Sequence, residues 1–209
     1  MTTLGLYIRH DNMNGIQRFL KRTFDITASL VGMIVLSPLY AIIALLLKKD
    51  GNGSVIFSQE RIGRRGVPFR IYKFRTMVEK DDAEPSLHAD ADDATSTPMQ
   101  KMLRRCHLDE LPQLLNVLKG DMSFVGPRPE RRYFIDKIME QSADYNLILE
   151  MRPGITSEAT IYNGYTDTID KMMKRMELDI RYLCNRTLWL DLTIIFDTIL
   201  CLIPQRQRG

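Results

Sequence analysis

Two neighbouring carboxylates, Asp109 and Glu110, and the arginines around them are the residues of this chain best suited to chemistry. An ionised aspartate can cap a helix, bind Mg²⁺ or attack phosphorus to form an acyl phosphate. Arg104 lies about one helical turn earlier, where its guanidinium can hold a phosphate beside the acids. Arg128 stands between two prolines, which stiffen the chain and preorganise a second guanidinium. This combination predicts a site that handles phosphates next to an acid.

The elements that position these acids are predicted to be mainly helices. Their expected ranges are 98–106, 110–119, 130–145, 167–186 and 188–203. Thr97 and Pro98 begin the first, and Gly120 ends the second. With a helix that begins at Glu110, Asp109 falls at the N-cap, where exposed amides and the helix dipole favour its ionised form. Capping is the commonest reason for an aspartate at such a position, and the metal-binding and nucleophilic alternatives remain open.

Two short strands, 54–63 and 69–78, are predicted to form a β-hairpin around the turn 64–68. The polar, acidic run 79–97 that follows predicts a mobile loop. It contains Asp90-Ala91-Asp92, which superficially matches the Asp-x-Asp metal site of nucleotide-sugar glycosyltransferases. The run offers only alanines and more acids, with no strand end to hold such a site. A solvated loop is therefore the preferred interpretation.

An uncharged apolar segment, 26–47, is long enough for a membrane helix. Ser37-Pro38 interrupts it, because proline lacks an amide donor and clashes with the carbonyl of Ile34, at a cost of about 3 kcal/mol. The serine hydroxyl can satisfy part of the freed backbone. A kinked spanning helix and a hairpin that enters and leaves one leaflet both fit. Basic residues flank both ends, so charge gives no orientation, and they suit an anionic leaflet.

Composition sets the broad class of protein. A chain of 209 residues with 44% hydrophobic and 26% charged residues is not disordered, and a net charge of +3 gives little support to nucleic-acid binding. Three widely spaced cysteines indicate a reducing compartment without a disulfide framework. Cys106 lies near the acids, but nothing completes a triad around it, so a thiol nucleophile is disfavoured. The apolar helix at 188–203 predicts either an interfacial or a core helix.

Over about residues 18 to 203 the chain resembles the bacterial sugar transferase family, the small monotopic phosphoglycosyl transferases. The matching motifs are the broken segment at Ser37-Pro38, Gln59-x-Arg61-x-Gly63, Lys73-Phe74-Arg75-Thr76-Met77, Leu108-Asp109-Glu110-Leu111-Pro112-Gln113, Asn116-Val117-Leu118-Lys119-Gly120-Asp121-Met122-Ser123, Gly126-Pro127-Arg128-Pro129, Arg152-Pro153-Gly154-Ile155-Thr156 and Leu188-Trp189-Leu190-Asp191. Many relatives continue after the Thr156 motif with Gly, Trp and Gln, whereas this chain has Ser157 to Gly164. The resemblance therefore gives no guide to the sugar.

The resemblance implies an enzyme that transfers a sugar phosphate from a UDP-sugar to undecaprenyl phosphate and releases UMP, the first membrane step of bacterial glycoconjugate synthesis. Asp109 is then the nucleophile that carries the phosphosugar covalently, Mg²⁺ is the cofactor held at Asp109, and Glu110 completes the acid pair. The residues expected to bind substrate are Arg61, Lys73, Arg75, Arg104, Pro127, Arg128, Pro129 and Arg152. An inactive relative with the same fold and a conventional glycosyltransferase that releases UDP are the alternatives.

The implied fold is α+β and mostly helical. It combines a re-entrant helix–break–helix hairpin in the membrane with a small catalytic domain that has a short β-hairpin and interfacial amphipathic helices. The expected divisions are an N-terminal tail (1–17), the hairpin (18–49), the catalytic domain (50–203) and a basic tail (204–209). The implied location is the cytoplasmic face of the bacterial inner membrane. Expected partners are the UDP-sugar, undecaprenyl phosphate and the lipid bilayer, without nucleic acid; a homodimer and downstream glycosyltransferases are further partners that the resemblance allows.

Overall fold

The computed structural model describes residues 11–50, 53–76, 96–163 and 168–202. Its helices are Gly15–Val35 (α1), Ser37–Lys49 (α2), Pro98–Arg105 (α3), Gln113–Lys119 (α4), Arg132–Gln141 (α5), Tyr145–Ile148 (α6), Glu158–Asn163 (α7), Ile169–Asn185 (α8) and Leu188–Leu202 (α9). Its strands are Ile56–Ile62 (β1), Pro68–Phe74 (β2), Ser123–Val125 (β3) and Gly154–Thr156 (β4). The expectation of a mostly helical fold with a small β-hairpin is confirmed. The predicted loop up to residue 95, including Asp90-Ala91-Asp92, and the basic tail 204–209 lie outside the described residues.

Helices α1 and α2 form a bent pair around the Ser37-Pro38 break. Their axes meet at 60°, and the Ser37 hydroxyl donates to the Ile34 carbonyl at 2.8 Å. The serine thus satisfies the backbone group that the proline leaves without a donor, as the sequence predicted. Among the described residues no single helix has the length and apolar character to cross a membrane, whereas this pair meets that test jointly.

The basic residues of α1 turn towards the protein. The Lys21 ammonium contacts the Asp191 carboxylate of α9 at 2.5 Å and the Val125 carbonyl at 3.1 Å. The Arg22 guanidinium donates to the carbonyls of Val117 and Leu118 at 2.7 and 3.0 Å. These contacts hold α1 against β3, α4 and α9. Two of the basic residues that the sequence suggested for an anionic leaflet, Lys21 and Arg22, thus bond to other parts of the protein.

Two small sheets support the rest of the fold. Strands β1 and β2 pair antiparallel, with Gln59 opposite Ile71 and Phe57 opposite Lys73, so the predicted hairpin is confirmed. Strands β3 and β4 pair in parallel, from Ser123 opposite Gly154 to Val125 opposite Thr156. The sequence did not predict this second pair, because three-residue strands are too short to show an alternating pattern.

The helix predicted at 130–145 is found as α5, which begins at Arg132 and ends at Gln141, four residues earlier than predicted. It ends there because Ser142 has extended backbone angles, with φ −151° and ψ 121°. The helix predicted at 98–106 is confirmed as α3, and a capping box joins Thr97 to Gln100 at its start. Those predicted at 167–186 and 188–203 are confirmed as α8 and α9, with ends that shift by two residues or fewer.

Apolar side chains join the bent helix pair α1–α2 to the rest of the protein. Ile43 and Leu47 of α2 are buried against Phe74 of β2 and Leu103 of α3. A second cluster lies between α5, α6 and α8. On α9, Ile194 is buried while Trp189 is 77% exposed. One side of α9 thus packs against the protein, and its opposite apolar side remains uncovered.

Candidate active site

Asp109 and Glu110 lie in a 3-10 turn, Leu108–Glu110, between α3 and α4. The predicted N-cap role of Asp109 is wrong, because α4 begins at Gln113 and its cap position is Pro112. The backbone bonds in this stretch join residues three apart, with the Leu111 amide donating to the Leu108 carbonyl and the Leu114 amide to the Leu111 carbonyl, so the chain is not yet α-helical at the acids. The turn begins after His107, which has left-handed backbone angles (φ 54°). The aspartate is therefore available for a role other than capping.

Glu110 forms an ion pair with Lys73 of β2. The ammonium Nζ lies 2.6 Å from the carboxylate Oε1, and the two side chains are only 21% and 14% exposed. Burial alone would raise the pKa of Glu110, but the opposing charges of Lys73 and Arg128 lower it to about 2. Glu110 is thus a fixed negative charge at any physiological pH.

Asp109 is in a different electrostatic situation, although it is the next residue. Its side chain is buried and has no ion pair at contact distance among the described residues. Burial raises its pKa above the ordinary value, Lys73 opposes that rise, and the negative charge of Glu110 adds to it. A carboxylate with a raised pKa is more basic, and hence a stronger nucleophile once ionised, than a solvated one. The pair therefore divides into a fixed anion and a more basic neighbour.

Asn116 fastens α4, which follows the acids, to β2, which carries Lys73. Its side-chain oxygen accepts from the Tyr72 amide at 3.1 Å, and its side-chain nitrogen donates to the Arg70 carbonyl at 2.7 Å. The asparagine thereby pairs with the edge of the strand as another strand would. Since it is fully buried, these bonds are shielded from water and fix Lys73 relative to the acid pair.

Tyr40 connects the bent helix pair directly to the turn Leu108–Glu110, called the acidic turn below. Its hydroxyl donates to the Leu111 carbonyl at 2.5 Å, one residue after Glu110. Its ring packs against Phe74 with centroids 5.5 Å apart, and Phe74 adjoins Lys73. The bent helix pair α1–α2 therefore contacts the two segments that carry Lys73 and Glu110.

Replacing Tyr40 by Phe is expected to remove this hydroxyl contact and nothing else. The Leu111 carbonyl would lose a donor, which should lower the free energy of unfolding by about 1 kcal/mol. Thermal unfolding in nanodiscs would measure the loss. Tyr162→Phe is the matched control, because the Tyr162 side chain is 67% exposed; equal effects of the two substitutions would contradict the positioning role.

The Pro127-Arg128-Pro129 loop is held by its backbone on both sides of Arg128. The Gly154 amide donates to the Pro127 carbonyl at 2.9 Å, and the Arg61 guanidinium donates to the Pro129 carbonyl at 3.3 Å. A Cβ at Gly126 would lie 2.3 Å from the Arg152 carbonyl, so this glycine is needed where two backbones meet.

Glu130, the residue that follows this loop, forms ion pairs with two arginines. Its carboxylate contacts Arg175 of α8 at 3.1 Å and Arg61 at 3.7 Å. Burial lowers the pKa of Arg61 to about 10 even though Glu130 opposes the shift. Glu130 and Arg175 line a small cavity together with Arg128 and Asp179. Arg61 thus bonds to the loop that carries Arg128, and its charge also interacts with that of Glu110, although no hydrogen bond or ion pair joins the two among the described residues.

The other arginines predicted to bind substrate are Arg104, Arg75 and Arg152, and they have different surroundings. Arg104 occupies the last turn of α3, next to the acidic turn in sequence. The Arg75 guanidinium is packed against Gly53, where a Cβ would lie 1.5 Å from its Nη1. Arg152 donates to the Gly120 carbonyl at 3.0 Å, and none of its described contacts joins it to Asp109. The structure therefore brings together the acids, Lys73 and the field of Arg128, and sets Arg152 apart.

Mg²⁺ is the cofactor that the sequence implied, and the acids fit it in a limited way. The described residues contain no group of three or more His, Cys, Asp or Glu side chains able to hold a metal. Protein sites for Mg²⁺ commonly use one or two carboxylates together with substrate phosphates and water. Asp109 fits that pattern because no cation of the described ranges lies at contact distance from its carboxylate, while Glu110 is paired with Lys73.

The chain is similar to known proteins over most of its length. The family model described as bacterial sugar transferase matches residues 16–205. A UDP-N-acetylgalactosamine-undecaprenyl-phosphate N-acetylgalactosaminephosphotransferase of Aeromonas hydrophila is 39% identical, over 91% of this chain and 46% of the relative. UDP-glucose:undecaprenyl-phosphate glucose-1-phosphate transferases of Klebsiella pneumoniae and Caulobacter vibrioides are 41% and 38% identical, over 90% and 86% of this chain and 41% and 68% of each relative.

The chain therefore belongs to the bacterial sugar transferase family. It spans less than half the length of the first two of these relatives. The predicted resemblance to this family is confirmed.

Sequence reasoning missed three residues that hold the site. Tyr40, Asn116 and Glu130 act through contacts with residues more than forty positions away in the chain. Asn116 and Glu130 lie in or beside quoted motifs, so the motif gave a signal for them. A lone tyrosine in an apolar run gives none.

Proposed function

We propose that this protein transfers a sugar phosphate from a UDP-sugar to undecaprenyl phosphate and releases UMP. Membership of the family and relatives named for this reaction class support the proposal. The observation that carries it is the buried, more basic Asp109 beside a Glu110 that Lys73 keeps ionised. This arrangement suits a nucleophile, because Lys73 pairs with Glu110 and leaves the Asp109 carboxylate to react.

In the proposed reaction, a carboxylate oxygen of Asp109 attacks the phosphorus that bears the sugar. The bond from that phosphorus to the UMP oxygen breaks, and an aspartyl phosphosugar remains. A phosphate oxygen of undecaprenyl phosphate then attacks the same phosphorus, which releases the Asp109 carboxylate and forms undecaprenyl-diphosphate-sugar. The two displacements balance without any external oxidant or reductant.

Lys73 and Arg128 offset negative charge in this scheme. A UDP-sugar brings a diphosphate to a site that already holds two acids, so repulsion opposes binding. Lys73 neutralises Glu110 at 2.6 Å, and Arg128 adds a second positive charge to the field at Glu110. Mg²⁺ at Asp109 and the diphosphate would supply further neutralisation of the phosphate oxygens.

We propose that α1 and α2 lie in the cytoplasmic leaflet of the bacterial inner membrane as a re-entrant hairpin. The acceptor carries its phosphate at the level of the lipid headgroups, so the nucleophile must be held at that depth. The 60° bend and the Tyr40 contact with the acidic turn support a hairpin that fixes this depth. The exposed apolar side of α9, including Trp189, is suited to the same interface.

Replacing Pro38 by Ala is expected to straighten the pair, because it restores an amide donor and removes the ring clash. The straightened segment would cross the bilayer and carry the N-terminus to the other side. Cysteine labelling from each face of the membrane would report the position of both ends. Ser54→Ala serves as a control outside the break; labelling that still finds both ends on one face would show that proline does not set the topology.

The reaction can be tested by nucleotide release from a panel of UDP-sugars, with protein in nanodiscs, with and without undecaprenyl phosphate and Mg²⁺. UMP release that needs both additions is expected, and the active sugar identifies the substrate. Release of UDP would instead indicate a conventional glycosyltransferase. No release with any sugar would contradict the proposed activity.

A further inference from the structure

Three arginines from separate parts of the chain converge beside the end of α4. They are Arg22 of α1, Arg64 of the β-hairpin turn, and Arg152, which precedes β4. The Arg152 Nε donates to the Gly120 carbonyl at 3.0 Å, and the Arg64 Nε donates to the Glu150 carbonyl at 2.8 Å. Arg22 approaches the same glycine, since its Nη2 would lie 3.2 Å from a Cβ there. We call these residues the arginine cluster.

The arginine cluster has no carboxylate partner at contact distance within the described ranges. All the acceptors of its hydrogen bonds are backbone carbonyls, which carry partial charges only. Burial lowers the pKa of Arg152, and the neighbouring charges of Arg22 and Arg64 lower it further. Asp25 opposes that shift, but its Oδ1 already accepts from Ser123 and Phe124. Positive charge therefore accumulates here without full compensation.

Two members of the cluster keep donors for a ligand. The Nη groups of Arg64 and Arg152 have no hydrogen-bond acceptor in the part of the chain that the structure describes, and both side chains are half-exposed. A phosphate is the anion that best fits two neighbouring guanidinium forks. The Arg22 donors are used on α4, so Arg22 contributes charge and fixes the position of the cluster.

The cluster lies beside exposed apolar surface. On α1, Phe19 and Ile26 are within about one turn of Arg22 and are 70% and 39% exposed. The neighbouring Lys21 joins α1 to Asp191 of α9, a helix whose own apolar side is exposed. Basic side chains next to uncovered apolar residues are the arrangement expected at the headgroup level of a bilayer.

We propose that Arg22, Arg64 and Arg152 form a binding site for the headgroup phosphate of an anionic phospholipid. The proposal rests on the proposed membrane hairpin, and it does not depend on the proposed reaction. The acceptor lipid is the less suitable occupant, because its phosphate must reach Asp109 and no described contact joins the cluster to the acid pair. The bound phospholipid would fix the depth and orientation of the protein at the surface.

The test uses Trp189, the single tryptophan of the chain, as an energy-transfer donor. The full-length protein is placed in phosphatidylcholine nanodiscs that contain a trace of dansyl-labelled phosphatidylglycerol or, separately, dansyl-labelled phosphatidylcholine. Wild type is expected to show greater transfer to phosphatidylglycerol. Arg64→Gln should reduce that preference about fivefold at low salt, the effect of one arginine near an anionic lipid surface.

Arg70→Gln is the matched control, because it makes the same change in charge at an exposed arginine bonded to Ser58. It should retain the preference, and Arg64→Lys should keep part of it. No preference in wild type, or full preference in Arg64→Gln, would overturn the site. Loss of the preference on adding inorganic phosphate at matched ionic strength, or on adding undecaprenyl phosphate, would overturn the phospholipid as its occupant. Since no turnover is measured, failure of the proposed reaction would not affect this result.

Discussion

Asp109→Asn is expected to lower the rate of UMP release by at least about 10³-fold, as the loss of a catalytic nucleophile commonly does. The amide keeps the shape of the side chain but is a poor nucleophile. Because Asp109 is buried and its pKa is raised, the neutral amide should also cost little stability. The protein should therefore remain folded and membrane-bound while losing activity.

The measurement combines nucleotide release with mass spectrometry of the intact protein. Incubating wild type with the active UDP-sugar but no acceptor should add one sugar phosphate, and peptide mapping should place it on residue 109. Asp136→Asn, at an exposed aspartate paired with Arg132, should behave as wild type. Substantial residual turnover in Asp109→Asn would exclude the nucleophile assignment. An inactive variant without any adduct in wild type would favour a metal-binding role for Asp109 instead.

The positions of the acids could be predicted only in part. The motif around Asp109 and Glu110 singled out two residues that the structure places beside Lys73, but the local rule for helix N-caps gave Asp109 a position that the structure contradicts. That rule treats residue 110 as the start of an α-helix, whereas the backbone keeps bonds between residues three apart here and α4 begins only at Gln113. Asp109 therefore lies before α4 and is not its cap.

The break between α1 and α2, by contrast, could be predicted from the sequence. Its cause is local, since Pro38 and Ser37 act on a carbonyl three or four residues away, and the sequence predicted both the bend and the serine bond. The β3–β4 pair could not be predicted in that way. It depends on two glycine backbones, Gly126 and Gly154, that meet across 28 positions in the chain.

The ion pair between Lys73 and Glu110 could not be predicted either, although motifs contain both residues. Both residues lie in quoted motifs, yet nothing in either motif indicates that one neutralises the other. Their contact follows from the Asn116 bonds that hold α4 to β2. A lysine expected to bind substrate is therefore found to set the charge of the acid pair.

Lys73→Met should be the most damaging substitution outside Asp109. Above its ordinary pKa of 4.5 Glu110 would remain buried as an unpaired anion, and breaking a buried pair in this way costs about 3 kcal/mol. In wild type the pKa of Glu110 is lowered to about 2, so the pair contributes stability above pH 4.5 that is lost as the pH falls towards 2. In the variant burial is opposed only by the remaining cations, so that contribution is reduced or reversed.

The difference in stability between wild type and Lys73→Met should accordingly be largest near neutral pH and shrink below pH 4.5. Thermal unfolding across this range would measure it. Activity should change in a linked way: the pKa of Asp109 rises further without Lys73, so the acidic limb of kcat/KM should move to higher pH. Lys119→Met is the matched control, since Lys119 is an exposed lysine that contacts the Tyr72 hydroxyl on the same strand. An acidic limb that stays in place would mean that Lys73 contacts the substrate without setting the charge of the acids, whereas a limb that moves in both variants would indicate a general effect of net charge.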